Sequence, residues 1–122
     1  MRFIVGICLL LFAVTCSAAT NKFKTEGDVL LRGKLIQKTY TIPESKPQKA
    51  YVLVLSSPIT VEKDETGGPA NDVRLLQVVF LNDINGKGFL NKQVQVSGSL
   101  FHAVSAQHYE KALIAVKKIV KK

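Results

Sequence analysis

Apolar and polar residues alternate with a period of two along most of the chain after residue 27, the signature of strands with one face buried. In GDVLLRGKLIQKTYTI, Val29, Leu31 and Leu35 share one parity, while Arg32, Lys34, Ile36, Lys38 and Tyr40 share the other. This predicts a long first strand, and Gly33 in its middle predicts a bulge or a sharp bend, as needed by a strand that curls around a small barrel. Pro43 to Gln48 is a turn-rich connection. Ala50 to Val61 predicts a second strand that weakens at Ser56-Ser57-Pro58, where Pro58 implies an edge or a break. Asp72 to Leu81 is short, apolar and β-rich, which predicts a buried central strand. Gln93 to Ala103 predicts a fourth strand with Val94, Val96, Leu100 and His102 on one face.

Between these runs lie two loops. Glu62 to Asn71 (EKDETGGPAN) is acidic and rich in turn residues, without the alternating ligands and central Gly of an EF-hand, so it reads as a charged surface loop. Asn82 to Lys92 contains Asn85-Gly86 but is long for a tight hairpin, and predicts a loop with a helical turn near Phe89 and Leu90. Val104 to Tyr109 turns the chain, and Glu110 to Val120 closes it. Ala112, Ala115, Val116, Ile119 and Val120 would also make a helical stripe. The shortness of this segment and its place after four strands favour a fifth strand. Five strands, with a loop or short helix between the third and fourth, predict a mainly all-β domain built as a small OB-like barrel, with a small sandwich as the alternative.

The N-terminus does not fit this pattern. Met1 and Arg2 precede the apolar run Phe3 to Val14, which is short for a bilayer span and is followed by the small residues Thr15 to Ala19. Residues 1–19 therefore read as a secretory signal peptide, 20–26 as a polar leader, and 27–122 as a single domain. The expected location is periplasmic or secreted. Lipidation of Cys16 would add a membrane anchor, although Ala13, Val14 and Thr15 make a poor acylation site.

Removal of the signal changes the chemistry available. Both cysteines, Cys8 and Cys16, fall within it, so the mature chain has no disulfide, thiol nucleophile or cysteine metal ligand. The 17 Lys and Arg less Arg2, set against 9 acids, leave a charge of +7. Such a balance favours anionic partners or simple solubility. The lysines are dispersed except for Lys117, Lys118, Lys121 and Lys122 at the C-terminus.

No catalytic signature is present: no G-x-S-x-G, no H-E-x-x-H, and no phosphate loop, since Gly86-Lys87-Gly88 is too short. The expectation is a non-enzymatic binding module without a cofactor. Candidate contacts are His102, Gln107, His108 and Tyr109 around the last turn, and Arg32, Lys34, Tyr51 and Phe101 as charges and aromatics for an anionic polymer or oligosaccharide. His102 has two readings: a buried ring hydrogen-bonded to the backbone of the next turn, or a ligand acting with His108 and Gln107. Two histidines without a nearby Cys or an inward carboxylate fall short of a structural zinc set. The favoured partner is another envelope or secreted protein, with the chain acting as an inhibitor or immunity-type protein; the alternatives are an OB-type module for an anionic polymer or oligosaccharide, and a metal-binding envelope protein using His102 and His108. A secretory address argues against nucleic acid.

At SGSLFHAVSAQHY the chain resembles a family of small exported bacterial domains of unknown function. In that family a strand of V-x-V-x-G-x-L-F-H-A leads into a histidine-bearing turn. Val94, Val96, Gly98, Leu100, Phe101, His102 and Ala103 match this strand, and His108 matches one turn histidine. Leu76 to Phe80 and Gly33 to Leu35 are also similar, so the likeness covers most of 27–119. The family's turn is richer in histidine, and Ser105 and Ala106 stand there instead. The resemblance implies a small β-barrel and no established activity.

Overall fold

A computed structural model describes residues 21–105 and 107–122. The signal peptide expected over 1–19, with Cys8 and Cys16, lies outside the described residues. Six strands follow in chain order: β1 (Lys22–Phe23), β2 (Val29–Tyr40), β3 (Gln48–Val61), β4 (Ala70–Phe80), β5 (Gln93–His102) and β6 (Ala112–Lys121). A one-turn 3-10 helix, Gly86–Phe89, lies between β4 and β5. Asn85 caps it by accepting the Lys87 N–H at 3.1 Å, so Asn85-Gly86 starts a helical turn rather than a hairpin.

The last five strands close on themselves. Around the barrel, β2 pairs with β3, β3 with β4, β4 with β6, β6 with β5, and β5 with β2. All pairs are antiparallel except β4–β6, and this closure is the strand order of an OB-like barrel. The segment expected over 110–120 is thus a strand, at Ala112–Lys121: its backbone is needed by β4 on one side and β5 on the other. The sandwich alternative fails because β3–β4 and β4–β6 pairing leaves no gap between two sheets.

Closure depends on β2 belonging to two ladders. Val29–Lys34 pairs with β5, and Gly33–Tyr40 pairs with β3, so the strand changes partner at Gly33–Lys34. The expected bulge is not present: the register runs without a shift through Gly33, and what happens there is the exchange of partners. A Cβ at Gly33 would run into the backbone of Val54 and Leu55. Gly98 is equally close to its neighbours on β5. It faces Val29 and Val116, lies where the β5–β6 register shifts, and leaves no room for a Cβ beside the Ala115 carbonyl.

The remaining breaks also follow from local chemistry. β3 runs unbroken through Ser56–Pro58, but its pairing with β2 ends at Leu55 and its pairing with β1 begins at Thr60. Pro58 lies between, where its missing N–H costs no ladder bond. Lys22–Phe23, read as leader, instead adds a parallel strand: Asn21 and Phe23 carbonyls accept from Thr60 and Glu62 N–H at 2.8 Å each.

Inward positions of the five strands make the core. Leu35, Leu53, Val61, Val73, Leu76, Val94, Val96, Leu100, Ile114 and Val116 are all fully buried. The 3-10 helix plugs one end, where Gly86 lies under the edge-to-face pair Tyr51–Phe80 at 5.2 Å.

Gly98→Ala and Gly33→Ala should each lower stability by about 2–3 kcal/mol, because the clash is with backbone that closes the barrel. Gly88→Ala, whose Cβ would meet open space, should leave the urea midpoint unchanged. Chemical denaturation of the three variants checks this.

Candidate functional site

One row of outward residues crosses all five barrel strands. Ile36 pairs with Val52, Val52 with Gln77, Gln77 with Leu113, and Leu113 with Phe101. Partners in register share a face, so these side chains line the outside of the barrel. Yet Val52 and Leu113 are fully buried and Gln77 is only 7% exposed. Residues 107–110, after β5, lie over this row at Gln77.

Gln77 fixes that cover. Its Nε2 donates to the Gln107 carbonyl at 2.9 Å, and its Oε1 accepts from the Tyr109 N–H at 2.6 Å and the Glu110 N–H at 3.3 Å. One buried amide thus satisfies three backbone groups of a turn that has no strand partner for them. The ring of Tyr109 stacks on Tyr40 with centroids 4.7 Å apart. Glu110 accepts from the Tyr40 hydroxyl and pairs with Lys38 at 3.2 Å. Burial first, and then the Glu110 carboxylate, push the Tyr40 phenol above its ordinary range. His108 Nδ1 accepts the Val104 N–H at 2.9 Å, and its ring meets the edge of Phe101 at 5.5 Å.

His102 points the other way, into the barrel end. Its ring is buried, and Nε2 lies 2.8 Å from the Glu62 carbonyl, so Nε2 carries the hydrogen and donates. The hydrogen-bonded reading therefore describes this ring, with one correction: the partner is the loop after β3, not the next turn. Close by, Asp64 Oδ1 accepts from Thr66 Oγ1 at 2.6 Å and Thr66 N–H at 2.8 Å. The Thr66 hydroxyl, then the Thr25 side chain, then the Thr66 amide and His102, hold the Asp64 carboxyl down to about 2.

The expected site residues are thus divided. His102 and His108 lie on opposite faces of β5, and Gln107 engages the turn through its carbonyl. They do not form a common ligand set. Among the described residues no three His, Cys, Asp or Glu groups converge as a metal site. Tyr51, expected as an exposed aromatic, faces inward because Gln37, Tyr51 and Val78 form an inner row. Phe101 and Tyr109 are half-buried in the turn contacts.

Only Arg32 and Lys34 stand on an open face. Their rows continue across β5 and β6: Arg32–Gln95–Val120, Leu30–Ser97–Lys118, and Lys34–Gln93 with Lys122 beyond, whose N–H bonds to the Gln93 carbonyl. Arg32 Nε donates to Gln95 Oε1 at 2.9 Å. Leu30 is 61% exposed and Val120 49%. No acid stands in these rows. Ion pairs among the described residues engage Lys38, Arg74, His102 and Lys117, and none engages Arg32, Lys34, Lys118 or Lys122. Leu30 and Arg32 also line a cleft of about 300 Å3 with Phe23, Leu55 and Pro58. Parity alone would have marked this face, had β2, β5 and β6 been known to be neighbours.

Residues 75–120 match the family described as Domain of unknown function (DUF4431). The expected likeness to a family of unknown function is met over that stretch. It runs from late β4 through β6, so it includes Gln77, His102, the covering turn and Glu110, and excludes Tyr40 and β2. No curated protein matches the chain.

Gln77→Leu should cost roughly 2–4 kcal/mol, since the Tyr109 and Glu110 N–H groups lose their acceptor under an apolar cover. Hydrogen exchange should quicken at those two amides before the barrel amides. Because the Asp64 pKa is depressed, its carboxylate contributes stability above the unfolded carboxyl value, and that contribution is lost as pH falls towards about 2. Thr66→Ala should move the Asp64 midpoint upward, read from its carboxyl carbon by NMR titration.

Proposed function

We propose that the chain is an exported, non-enzymatic binding module whose partner is another protein, engaged through the open face of β2, β5 and β6. An inhibitor or immunity-type protein of the bacterial periplasm is the concrete form. The observation that carries this is the outward set Leu30, Arg32, Lys118 and Val120: two exposed aliphatics among cations, with no acid in their rows. Protein interfaces combine apolar anchors with a polar rim, and the cleft beside Leu30 offers a recess for a partner side chain. The charge calls for an acidic partner surface and fast, salt-sensitive association. The covering turn, by contrast, is already engaged: its backbone by Gln77, and the side chains of Tyr109, Glu110 and His108 by Tyr40 and Phe101.

The cations also favour a second reading, an anionic polysaccharide or other polymer on the same face. The two differ in what they need from Leu30. Protein docking requires both the aliphatics and the charges, whereas a polymer requires the charges alone.

Affinity capture from an envelope fraction should return a stoichiometric protein with the wild-type domain, and lose it with Leu30→Ser and with Arg32→Glu/Lys118→Glu. A Leu30→Ser variant that binds as before, with binding abolished by salt, would replace the protein reading with the polymer. Capture unaffected by either variant would remove this face as the site.

A further inference from the structure

The two histidines differ in what a proton does to them. His102 Nε2 already carries a hydrogen and donates it to the Glu62 carbonyl at 2.8 Å. Protonating that ring leaves this bond intact and sets a positive charge 3.9 Å from the Asp64 carboxylate. His108 is the reverse case. Its Nδ1 accepts the Val104 N–H at 2.9 Å, so Nδ1 is bare and the neutral ring carries its hydrogen on Nε2. A second proton has only Nδ1 to go to. There it turns the acceptor into a donor that faces another donor, and the bond is lost.

The surroundings of His108 do not offset that loss. On β5 the ring packs edge to face on Phe101, with centroids 5.5 Å apart. Phe101 pairs with Leu113, and Ser99, on the same face, pairs with Ala115, so this stretch of β5 and β6 presents no charge to the ring. Within the turn, the His108 N–H bonds to the Ser105 carbonyl at 3.1 Å. Tyr109 is stacked on Tyr40, Glu110 is engaged by Tyr40 and Lys38, and the Lys111 amine bonds to the Asn71 carbonyl at 2.9 Å. Among the described residues no carboxylate pairs with His108. A charge on this ring therefore breaks a hydrogen bond without gaining an ion pair.

The two ends of the turn are held by different chemistry. Gln77, which does not titrate, fixes Gln107, Tyr109 and Glu110. The Val104 N–H is held by His108, and the Val104 side chain is 60% exposed. Only the Val104 end responds to a proton.

We propose that His108 is an acid-operated latch on the turn after β5: protonation at Nδ1 releases Val104 from the ring and uncovers the edge of Phe101, while Gln77 keeps Gln107, Tyr109 and Glu110 in place. The latch does not rest on the docking reading, because His108 and Val104 lie outside the rows of Leu30, Arg32, Lys118 and Val120.

The test is hydrogen exchange of the mature domain, followed by NMR from about pH 7.5 to about pH 5, across the range in which imidazoles change charge. After correction for the intrinsic rate, protection of the Val104 amide should fall about tenfold in acid, the weight of one lost hydrogen bond. The fall should share its midpoint with the His108 ring signals, and protection at Tyr109, Glu110 and the barrel amides should not change. His108→Asn keeps an acceptor oxygen close to the position of Nδ1 but cannot titrate, so the pH dependence at Val104 should vanish in that variant. Since Glu110 remains there, the comparison separates the ring from the carboxylate. Unchanged Val104 protection in the wild-type domain, a midpoint different from that of the His108 ring, or an equal fall in His108→Asn would each overturn the proposal.

Discussion

The barrel closes because one strand serves two ladders. β2 gives its first half to β5 and its second half to β3, and the exchange happens where Gly33 allows backbone to approach backbone. Gly98 permits the matching approach between β5 and β6. With both close approaches in place, every strand of the barrel has a neighbour on each side and the alternation of side chains becomes binding: inward residues fill the core, and outward residues line a continuous surface. The small size of the barrel leaves little inside for anything but Leu, Ile and Val. A partner of the proposed kind would therefore meet the outside of the barrel.

That outside is used in two ways. On the β3, β4 and β6 side, the outward row from Ile36 to Phe101 is roofed by the chain's own turn, and Gln77 is the peg that holds the roof. A buried side-chain amide is costly unless its polar atoms are paired, and here the turn supplies the pairs. On the β2, β5 and β6 side the surface is left open, with cations and two aliphatics. The two histidines belong to the first kind of use. His108 packs within the roof, and His102 ties the barrel end to the loop after β3.

Much of the fold was legible in the periodicity. The alternation in 29–40 and 93–102 marks inner and outer faces directly, and Gly33 marks the place where β2 changes partner. The 110–120 segment was ambiguous because Ala and Val at those positions satisfy both a helical stripe and a strand; the need of β4 and β5 for a common neighbour decides it. The site was far less legible. Gln77 lies within an apolar strand, and nothing local reveals that its amide meets residues 107–110. Tyr51 reads as a surface aromatic until Val78 and Gln37 are known to be its partners. His102 and His108 are close in sequence, yet one turn of strand parity and the following loop place them on opposite sides of β5. Lys22–Phe23 is too short to show period at all. In each case the missing information is which distant strand stands alongside.

The central claim is that recognition belongs to the open face and that the histidine turn is structural. Hydrogen exchange of the domain, alone and bound to its captured partner, measures this directly. Slowed exchange at Leu30–Lys34, Gln93–Ser97 and Lys118–Lys122, with Ala103–Lys111 unchanged, is the predicted result. Protection confined to Ala103–Lys111, with the three strands unaffected, would contradict it.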